Sequence, residues 1–235
     1  MSENKISTPV TDSLEKVEVS TDQIPDGFGK LVYKNGDVYE GNFMHGKPHG
    51  RGKHTYLSGS SCEGNFVSGR LYGFGKLIYV KKGEGKKNNY VYEGEFKDSQ
   101  CCGRGKTVYE NGSSYEGEYK NDKRNGQGEY IFANSSTYKG GFENGLFHGQ
   151  GIMNYSDGSR FEGEFVSGKR HGKGKIICKD GTQFEGEFNN DEIHGIMTVT
   201  STDGAVYKKR YNGGLTVDKL NVLLSVAKEK LSAQC

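Results

Sequence analysis

Four histidines recur at the same position of a repeating sequence pattern, so a metal site is the first chemistry to consider. They are His49, His148, His171 and His194. Zinc needs ligands that converge at about 2 Å from one ion, whereas equivalent positions in stacked two-stranded repeats lie roughly 10 Å apart. We therefore expect no metal centre, and no residue pattern calls for a cofactor.

The other reactive side chains fit no catalytic arrangement. The cysteines are odd in number and have no metal-ligand spacing: Cys62, Cys101, Cys102, Cys178 and Cys235. The sequence shows no Ser-His-Asp order, no phosphate-cradling loop and no cleft with paired carboxylates. We expect a protein that is not an enzyme, in a reducing, cytoplasmic compartment.

A repeat of 23 residues organises the chain from Asp26 to Tyr211. A typical copy contains an aromatic residue, Glu, Gly, an acidic residue or Asn, and a second aromatic residue, and a Gly-x-Gly sequence follows; Lys139-Gly140-Gly141 and the eroded eighth copy depart from this pattern. Both parts alternate with the period of a β-strand, so each copy is predicted to be a β-hairpin. Repeat architectures act through an extended surface rather than one pocket.

Glycine-containing turns such as Asn35-Gly36 join successive hairpins and set the predicted register. A three-residue loop with glycine in a left-handed bulge keeps Tyr33 and Tyr39 on the same face of the sheet. A two-residue turn would put them on opposite faces, so the bulged loop is predicted. Aromatic rings then lie over the glycine positions, where another group can approach the backbone closely.

The opposite face of the predicted sheet carries a column of lysines. Its members are Lys30, Lys53, Lys76, Lys106 and Lys175. If Gly41 pairs with Gly52, a glutamate faces a lysine at Glu40–Lys53, Glu63–Lys76, Glu93–Lys106 and Glu162–Lys175. The same register predicts two further pairs, Glu95–Arg104 and Glu164–Lys173. Pairs of this kind favour register-setting and solubility over lipid binding as the role of the column.

One unit is almost regular from Phe161 to Gly181: Phe-Glu-Gly-Glu-Phe, a basic turn, Gly-x-Gly and an Asp-Gly turn. It resembles the MORN repeat (membrane occupation and recognition nexus), although Cys62 replaces the first aromatic residue of one copy. The resemblance implies an all-β fold, namely an elongated single-layer antiparallel sheet of about eight stacked β-hairpins over residues 26–214. Stand-alone members of the family suggest a non-catalytic scaffold in a cytoskeletal or ciliary/flagellar setting.

The two ends of the chain differ from the repeats. Residues 1–25 are polar and acidic, and we expect a disordered tail. Residues 215–235 are expected to form a short amphipathic helix that caps the array, with dimerisation or partner docking as the alternatives. Its apolar face would consist of Leu220, Leu223, Leu224, Ala227 and Leu231.

The aromatic side of the sheet is the predicted partner-binding surface. With 32 per cent hydrophobic residues and no tryptophan, the repeats must share one thin core, and uncovered aromatic residues usually indicate a partner. The alternative is that the rings bury one another. We expect a protein segment, extended or helical, or a second copy of the chain to bind at Tyr39, Phe43, Tyr56, Phe66, Tyr79, Tyr92, Phe96, Tyr109, Tyr115, Phe132, Tyr138, Phe142, Tyr155, Phe161 and Phe165.

An insertion at residues 81–89 lengthens one repeat spacing from 23 to 30 residues and carries Lys81, Lys82, Lys86 and Lys87. Each lysine near an anionic membrane contributes about 1 kcal/mol, so an alternative function is binding of phosphoinositides at a membrane periphery. A solvated loop without a partner is the simpler interpretation. The net charge of +2 is far from that of a nucleic-acid-binding protein, and no apolar stretch resembles a signal peptide or a membrane span.

Overall fold

The computed structural model describes residues 4–7, 17–19, 24–81 and 89–216, and every regular element in these ranges is a β-strand. The strands are β1 (Asn4–Ser7), β2 (Val17–Val19), β3 (Gly27–Val32), β4 (Val38–Met44), β5 (Lys47–Thr55), β6 (Ser61–Val67), β7 (Arg70–Tyr79), β8 (Tyr90–Lys97), β9 (Gln100–Tyr109), β10 (Ser114–Lys120), β11 (Lys123–Ile131), β12 (Thr137–Glu143), β13 (Leu146–Asn154), β14 (Arg160–Val166), β15 (Lys169–Ile177), β16 (Gln183–Asn189), β17 (Glu192–Thr200) and β18 (Val206–Thr216).

The chain divides into two compact units, residues 1–124 and 125–235. In the first unit, β3 to β10 form an antiparallel meander in which each strand pairs with its neighbours along the chain. In the second unit, residues 126–131 of β11 and strands β12 to β18 do the same. The all-β fold of antiparallel hairpins is therefore confirmed.

The loops between successive hairpins have the predicted form. The Tyr33 N–H donates to the Asp37 carbonyl at 2.8 Å, and the Gly36 N–H donates to the Tyr33 carbonyl at 2.9 Å. Three loop residues therefore lie between Tyr33 and Asp37, and Gly36 has a positive φ of 87°. This arrangement keeps Tyr33 and Tyr39 on one face, which we call the aromatic face; Glu40 lies on the other, the charged face.

A β-bulge is present in the hairpins β4–β5, β6–β7, β8–β9, β12–β13, β14–β15 and β16–β17, and two of the predicted charge pairs are wrong because of it. Gly94 pairs with Gly105 as expected, but the register then shifts, so that Glu95 lies opposite Cys102 rather than Arg104. Glu164 likewise lies opposite His171 rather than Lys173. The physical reason is the first glycine of each Gly-x-Gly, which adopts a left-handed conformation such as φ 55° at Gly103 and places one extra residue in the strand.

The two ends of the chain are described only in part. β1 pairs antiparallel with both β2 and β3, and most of the other residues of the predicted disordered tail lie outside the described residues. The predicted C-terminal helix is not supported, because residues 215 and 216 belong to strand β18 and residues 217–235 lie outside the described part. This undescribed stretch includes the apolar positions Leu220, Leu223, Leu224, Ala227 and Leu231.

Candidate functional site

The core of each unit is a layer of aromatic rings packed edge to face. Tyr92 is 1% exposed and meets the Phe96 ring at a centroid distance of 5.1 Å and the Tyr119 ring at 4.9 Å, at 87° and 80° respectively. Tyr39, Tyr138 and Phe161 have the same two kinds of contact within their units. Such T-shaped pairs contribute about 0.5–1.5 kcal/mol beyond the burial of area.

The buried tyrosines lie over glycine and satisfy the backbone at the bulge. A Cβ atom placed on Gly105 would come within 2.6 Å of Tyr92 Cζ, so only glycine fits under the ring without movement. The Tyr92 hydroxyl donates to the Glu95 carbonyl at 2.9 Å, at the point where the register shifts. The predicted placement of rings over glycine is thus confirmed, and the hydroxyl adds a bond that the sequence pattern did not predict.

Irregular repeats are compensated by other side chains. Cys62 replaces the first aromatic residue of its repeat, and Leu71, which is 1% exposed, fills the space above Gly64. In the last hairpin Met197 replaces the second glycine, and its Sδ lies 2.7 Å from a Cβ built on Gly186. The aromatic layer is therefore continued by aliphatic packing where the pattern departs from its regular form.

A second group of rings lies above this core and remains accessible. We define the tyrosine row as Tyr33, Tyr56, Tyr79 and Tyr109, one residue from each hairpin of the first unit. Tyr56 and Tyr79 are 38% and 39% exposed, and the other two rings are half-buried. This is the part of the aromatic face that another molecule can contact.

His54 links two members of the row. Its ring stacks on Tyr33 at 5.3 Å and on Tyr56 at 4.5 Å, with interplanar angles of 1° and 14°. The Nε2 atom lies 3.7 Å from Asp37 Oδ2, but burial lowers the pKa of His54 more than this carboxylate raises it. The stack is therefore uncharged at neutral pH, which suits contact with an apolar partner.

Tyr90 links the other two members. It pairs in register with Tyr79 on β7 and with Tyr109 on β9. The Tyr79 and Tyr90 centroids are 4.9 Å apart at 20°, and those of Tyr90 and Tyr109 are 6.0 Å apart at 58°. Burial raises the pKa of Tyr90 to about 12, so its hydroxyl remains a hydrogen-bond donor at physiological pH.

The aromatic face of the second unit differs in composition. Phe147 stacks on the buried Tyr138 at 3.9 Å and lies near Phe132 at 6.1 Å. Arg170 lies 5.7 Å from the Phe161 ring centroid, and its Nε donates to Asp191 at 2.9 Å. The position of the tyrosine row is then taken in order by Phe132, Tyr155, Cys178 and Ser201. Aromatic character therefore decreases along this unit.

The predicted partner-binding residues separate into two layers. Ten of them are at most 4% exposed and form the core: Tyr39, Phe43, Phe66, Tyr92, Phe96, Tyr115, Tyr138, Phe142, Phe161 and Phe165. The remaining five are exposed or half-buried: Tyr56, Tyr79, Tyr109, Phe132 and Tyr155. The expected alternative, mutual burial of the rings, thus holds for the deeper layer, and the accessible surface consists of the upper layer with His54 and Tyr90.

The charged face alternates in sign across the strands of the first unit. Glu40 pairs in register with Lys53 and Glu93 with Lys106, as predicted. The short ion pairs lie across the other neighbouring strand, as in Lys76–Glu93 at 2.8 Å and Lys30–Glu40 at 3.4 Å. The lysine column is thus accompanied by an equal succession of glutamates, which argues against its use as a cationic surface.

The described residues give no evidence for a metal site, a cofactor site or lipid binding. Among the described residues, no group of three or more His, Cys, Asp or Glu side chains is placed to hold a metal ion. Burial raises the pKa of the Cys101 thiol to about 12, which leaves it a poor nucleophile. Lys82, Lys86 and Lys87 lie outside the described residues, and lipid binding by these residues with Lys81 stays a prediction.

The described strands and loops contain no helix of the length and apolarity that a membrane span requires.

The chain has distant likenesses among the solved structures. The TCP domain of SAS-4 (dCPAP) of Drosophila melanogaster, in complex with a proline-rich motif of Ana2, has a TM-score of 0.42 at 13% identity, over 69% of this chain and 85% of that one. The TCP10 domain of Danio rerio CPAP, in complex with a STIL peptide, has a TM-score of 0.33 at 16% identity, over 80% and 97%. At these scores the likenesses carry no argument about function. No curated protein matches the chain.

The family model of the MORN repeat matches eight consecutive segments: residues 24–38, 39–61, 62–84, 92–114, 115–137, 138–160, 161–183 and 184–205. These segments coincide with the hairpins that place Tyr39, Tyr92 and their equivalents over glycine. The chain therefore belongs to the MORN-repeat family.

Proposed function

We propose that this protein is a non-catalytic scaffold that binds an extended segment of a partner protein along the tyrosine row of its first unit. The observation that carries the proposal is the two-layer arrangement of the aromatic face. The deep rings are fully used in the core, whereas Tyr56 and Tyr79 remain 38% and 39% exposed above them. Exposed aromatic rings on a rigid sheet are typical anchors of protein interfaces.

The spacing of the row favours a polyproline II segment that runs across the strands. Equivalent rings recur every second strand, about 9.6 Å apart, and one polyproline II turn of three residues advances about 9.3 Å. Two turns of an α-helix advance about 10.8 Å. The mismatch with the ring spacing is therefore about 1.2 Å per ring for an α-helix and about 0.3 Å per ring for a polyproline II segment. A segment with a suitable side chain at every third residue would therefore meet Tyr33, Tyr56, Tyr79 and Tyr109 in turn.

The chemistry of the row is consistent with this conformation. A polyproline II segment has no internal hydrogen bonds, so its carbonyl groups are free to accept bonds from tyrosine hydroxyls. The three prolines of this chain, Pro9, Pro25 and Pro48, do not recur at every third residue, and the occupant that we propose is a segment of a partner protein. The cytoskeletal or ciliary setting implied by stand-alone family members is part of this proposal.

Replacing both Tyr79 and Tyr109 with serine is expected to abolish partner capture while leaving the fold intact. Both rings lie above the buried layer, so their removal takes away contact surface and leaves the core packing in place. Proximity labelling in cells, with the full-length protein beside this double variant, measures the effect. Phe74→Ser is the matched control, because Phe74 is 75% exposed on the charged face.

The control variant should recover the same partners as the unchanged protein. If the folded double variant also recovers them, the tyrosine row is not the binding surface. Association with a second copy would appear instead as a concentration-dependent mass in sedimentation, lost in the double variant.

A further inference from the structure

The hairpin that contains the insertion at residues 81–89 differs from the others at one position, which lies two residues before the first aromatic residue of the repeat. The equivalent residue in the other loops is small or polar, and at Asp37, Ser60 and Ser136 its side chain holds the next loop by a hydrogen bond. Asp37 Oδ1 accepts from the Leu57 N–H at 2.8 Å, and Ser60 Oγ accepts from the Val80 N–H at 3.0 Å. Ser136 Oγ accepts from the Ser156 N–H in the same way.

Tyr90 occupies this position in the hairpin that contains the insertion, and Asn89 makes the loop contacts instead. Asn89 Oδ1 accepts from the Lys81 N–H at 2.9 Å, and the Asn89 carbonyl accepts from the Glu110 N–H at 2.9 Å. The side chain of Tyr90 is therefore not needed for the hydrogen bond to the next loop. It adds a third ring between Tyr79 and Tyr109, on the strand that separates them.

The three rings form a ridged platform rather than a cage. The Tyr79 and Tyr90 centroids are 4.9 Å apart at 20°, so the two rings touch and leave no room for a cation between them. A ridged platform of this kind suits apolar rings that lie on it. Tyr79 and Tyr109 both pair in register with Tyr90, so they lie two strands apart, a spacing of about 9.6 Å that is close to one polyproline II turn of about 9.3 Å.

We propose that Tyr79, Tyr90 and Tyr109 form the anchor that fixes where the partner segment binds, by receiving two of its prolines, three residues apart, on the two outer rings, with Tyr90 between these rings. This inference rests on the proposed function and adds to it the position that sets specificity. The other positions of the row repeat from hairpin to hairpin and offer a segment several equivalent registers. Among the described hairpins, the one with the insertion alone has an aromatic residue at the position of Tyr90, and this residue selects one of these registers.

Tyr90→Ser is expected to weaken binding at least tenfold without unfolding the protein. Serine occupies this position naturally at Ser60, Ser113 and Ser136, so the substitution is compatible with the fold. The probe is a fluorescein-labelled dodecapeptide with proline at every third position, titrated with the full chain in a fluorescence anisotropy measurement. Tyr90→Phe retains the platform and should bind within about twofold of the unchanged protein.

Two controls separate the possible failures. A peptide with glycine in place of the prolines should not bind, and Phe28→Ser, at a residue 62% exposed on the charged face, should leave the affinity unchanged. If the proline peptide binds and Tyr90→Ser has no effect, the anchor is wrong while the proposed function stands. If the peptide does not bind the unchanged protein, both the polyproline II occupant and the anchor are overturned.

Discussion

Replacing Tyr92 with alanine is expected to lower the free energy of unfolding by about 3–5 kcal/mol, the usual cost of removing a buried aromatic side chain. The ring is 1% exposed, packs against Phe96 and Tyr119, and covers Gly94 and Gly105. The position that Leu71 has beside Phe66 is taken in this hairpin by the smaller Cys101, beside Phe96. Urea unfolding followed by tyrosine fluorescence and circular dichroism measures the change.

Two matched variants make this prediction specific. Tyr92→Phe removes only the hydroxyl that bonds to the Glu95 carbonyl and should cost about 1 kcal/mol. Phe161 already occupies the equivalent position with 0% exposure. Tyr207→Ala removes the aromatic residue at the same repeat position on β18, where the ring is 61% exposed, and should change the stability by less than about 0.5 kcal/mol. A similar loss in both alanine variants would contradict the core that we describe.

Replacing Gly94 with alanine is expected to destabilise the protein by about 3 kcal/mol, at the upper end of the cost of overpacking. The new Cβ would lie 2.5 Å from the Cα of Gly105 and 2.7 Å from the Arg104 carbonyl oxygen. Both atoms belong to the backbone of the paired strand, so no change of side-chain rotamer can relieve the clash. The same urea titration gives the change in stability.

Gly29→Ala is the control for a glycine-to-alanine change in a strand of the same sheet. Its Cβ would meet the Phe43 ring at 3.5 Å, which is ordinary van der Waals contact, and its backbone conformation suits alanine. We expect this variant to be as stable as the unchanged protein or slightly more so, because alanine restricts the unfolded chain. Equal destabilisation by both variants would show that the glycine positions are not close-approach sites.

Much of the fold is predictable from the sequence because the repeat gives the same evidence several times over. The alternation around Tyr39, the loop at Gly36 and the pairing of Gly41 with Gly52 all follow from strand and turn geometry. The bulge was missed because strict alternation assumes that both glycines of Gly-x-Gly are extended. The spacing of the pattern carries no sign that Gly103 adopts a positive φ.

The candidate site was less predictable for a different reason. Sequence alternation places Tyr39 and Tyr56 on the same face but does not say which ring lies deeper. Depth depends on packing across neighbouring hairpins, where Tyr39 meets Phe66 and Tyr56 stacks on His54. Tyr90 was missed because the insertion breaks the period, although its offset of two residues from Tyr92 is a signal that places it on the same face.

We expect the upper rings of the first unit to receive a partner segment that runs across the strands. Aromatic ¹H–¹³C NMR spectra of tyrosine-labelled protein, recorded with the proline-containing dodecapeptide, report on each of these rings. Shift changes should be confined to Tyr33, Tyr56, Tyr79, Tyr90 and Tyr109 together with tyrosines directly beneath them, while Tyr207 and Tyr211 stay unchanged. Changes confined to the tyrosines of β18, or saturable binding without any change in the tyrosine row, would contradict this expectation.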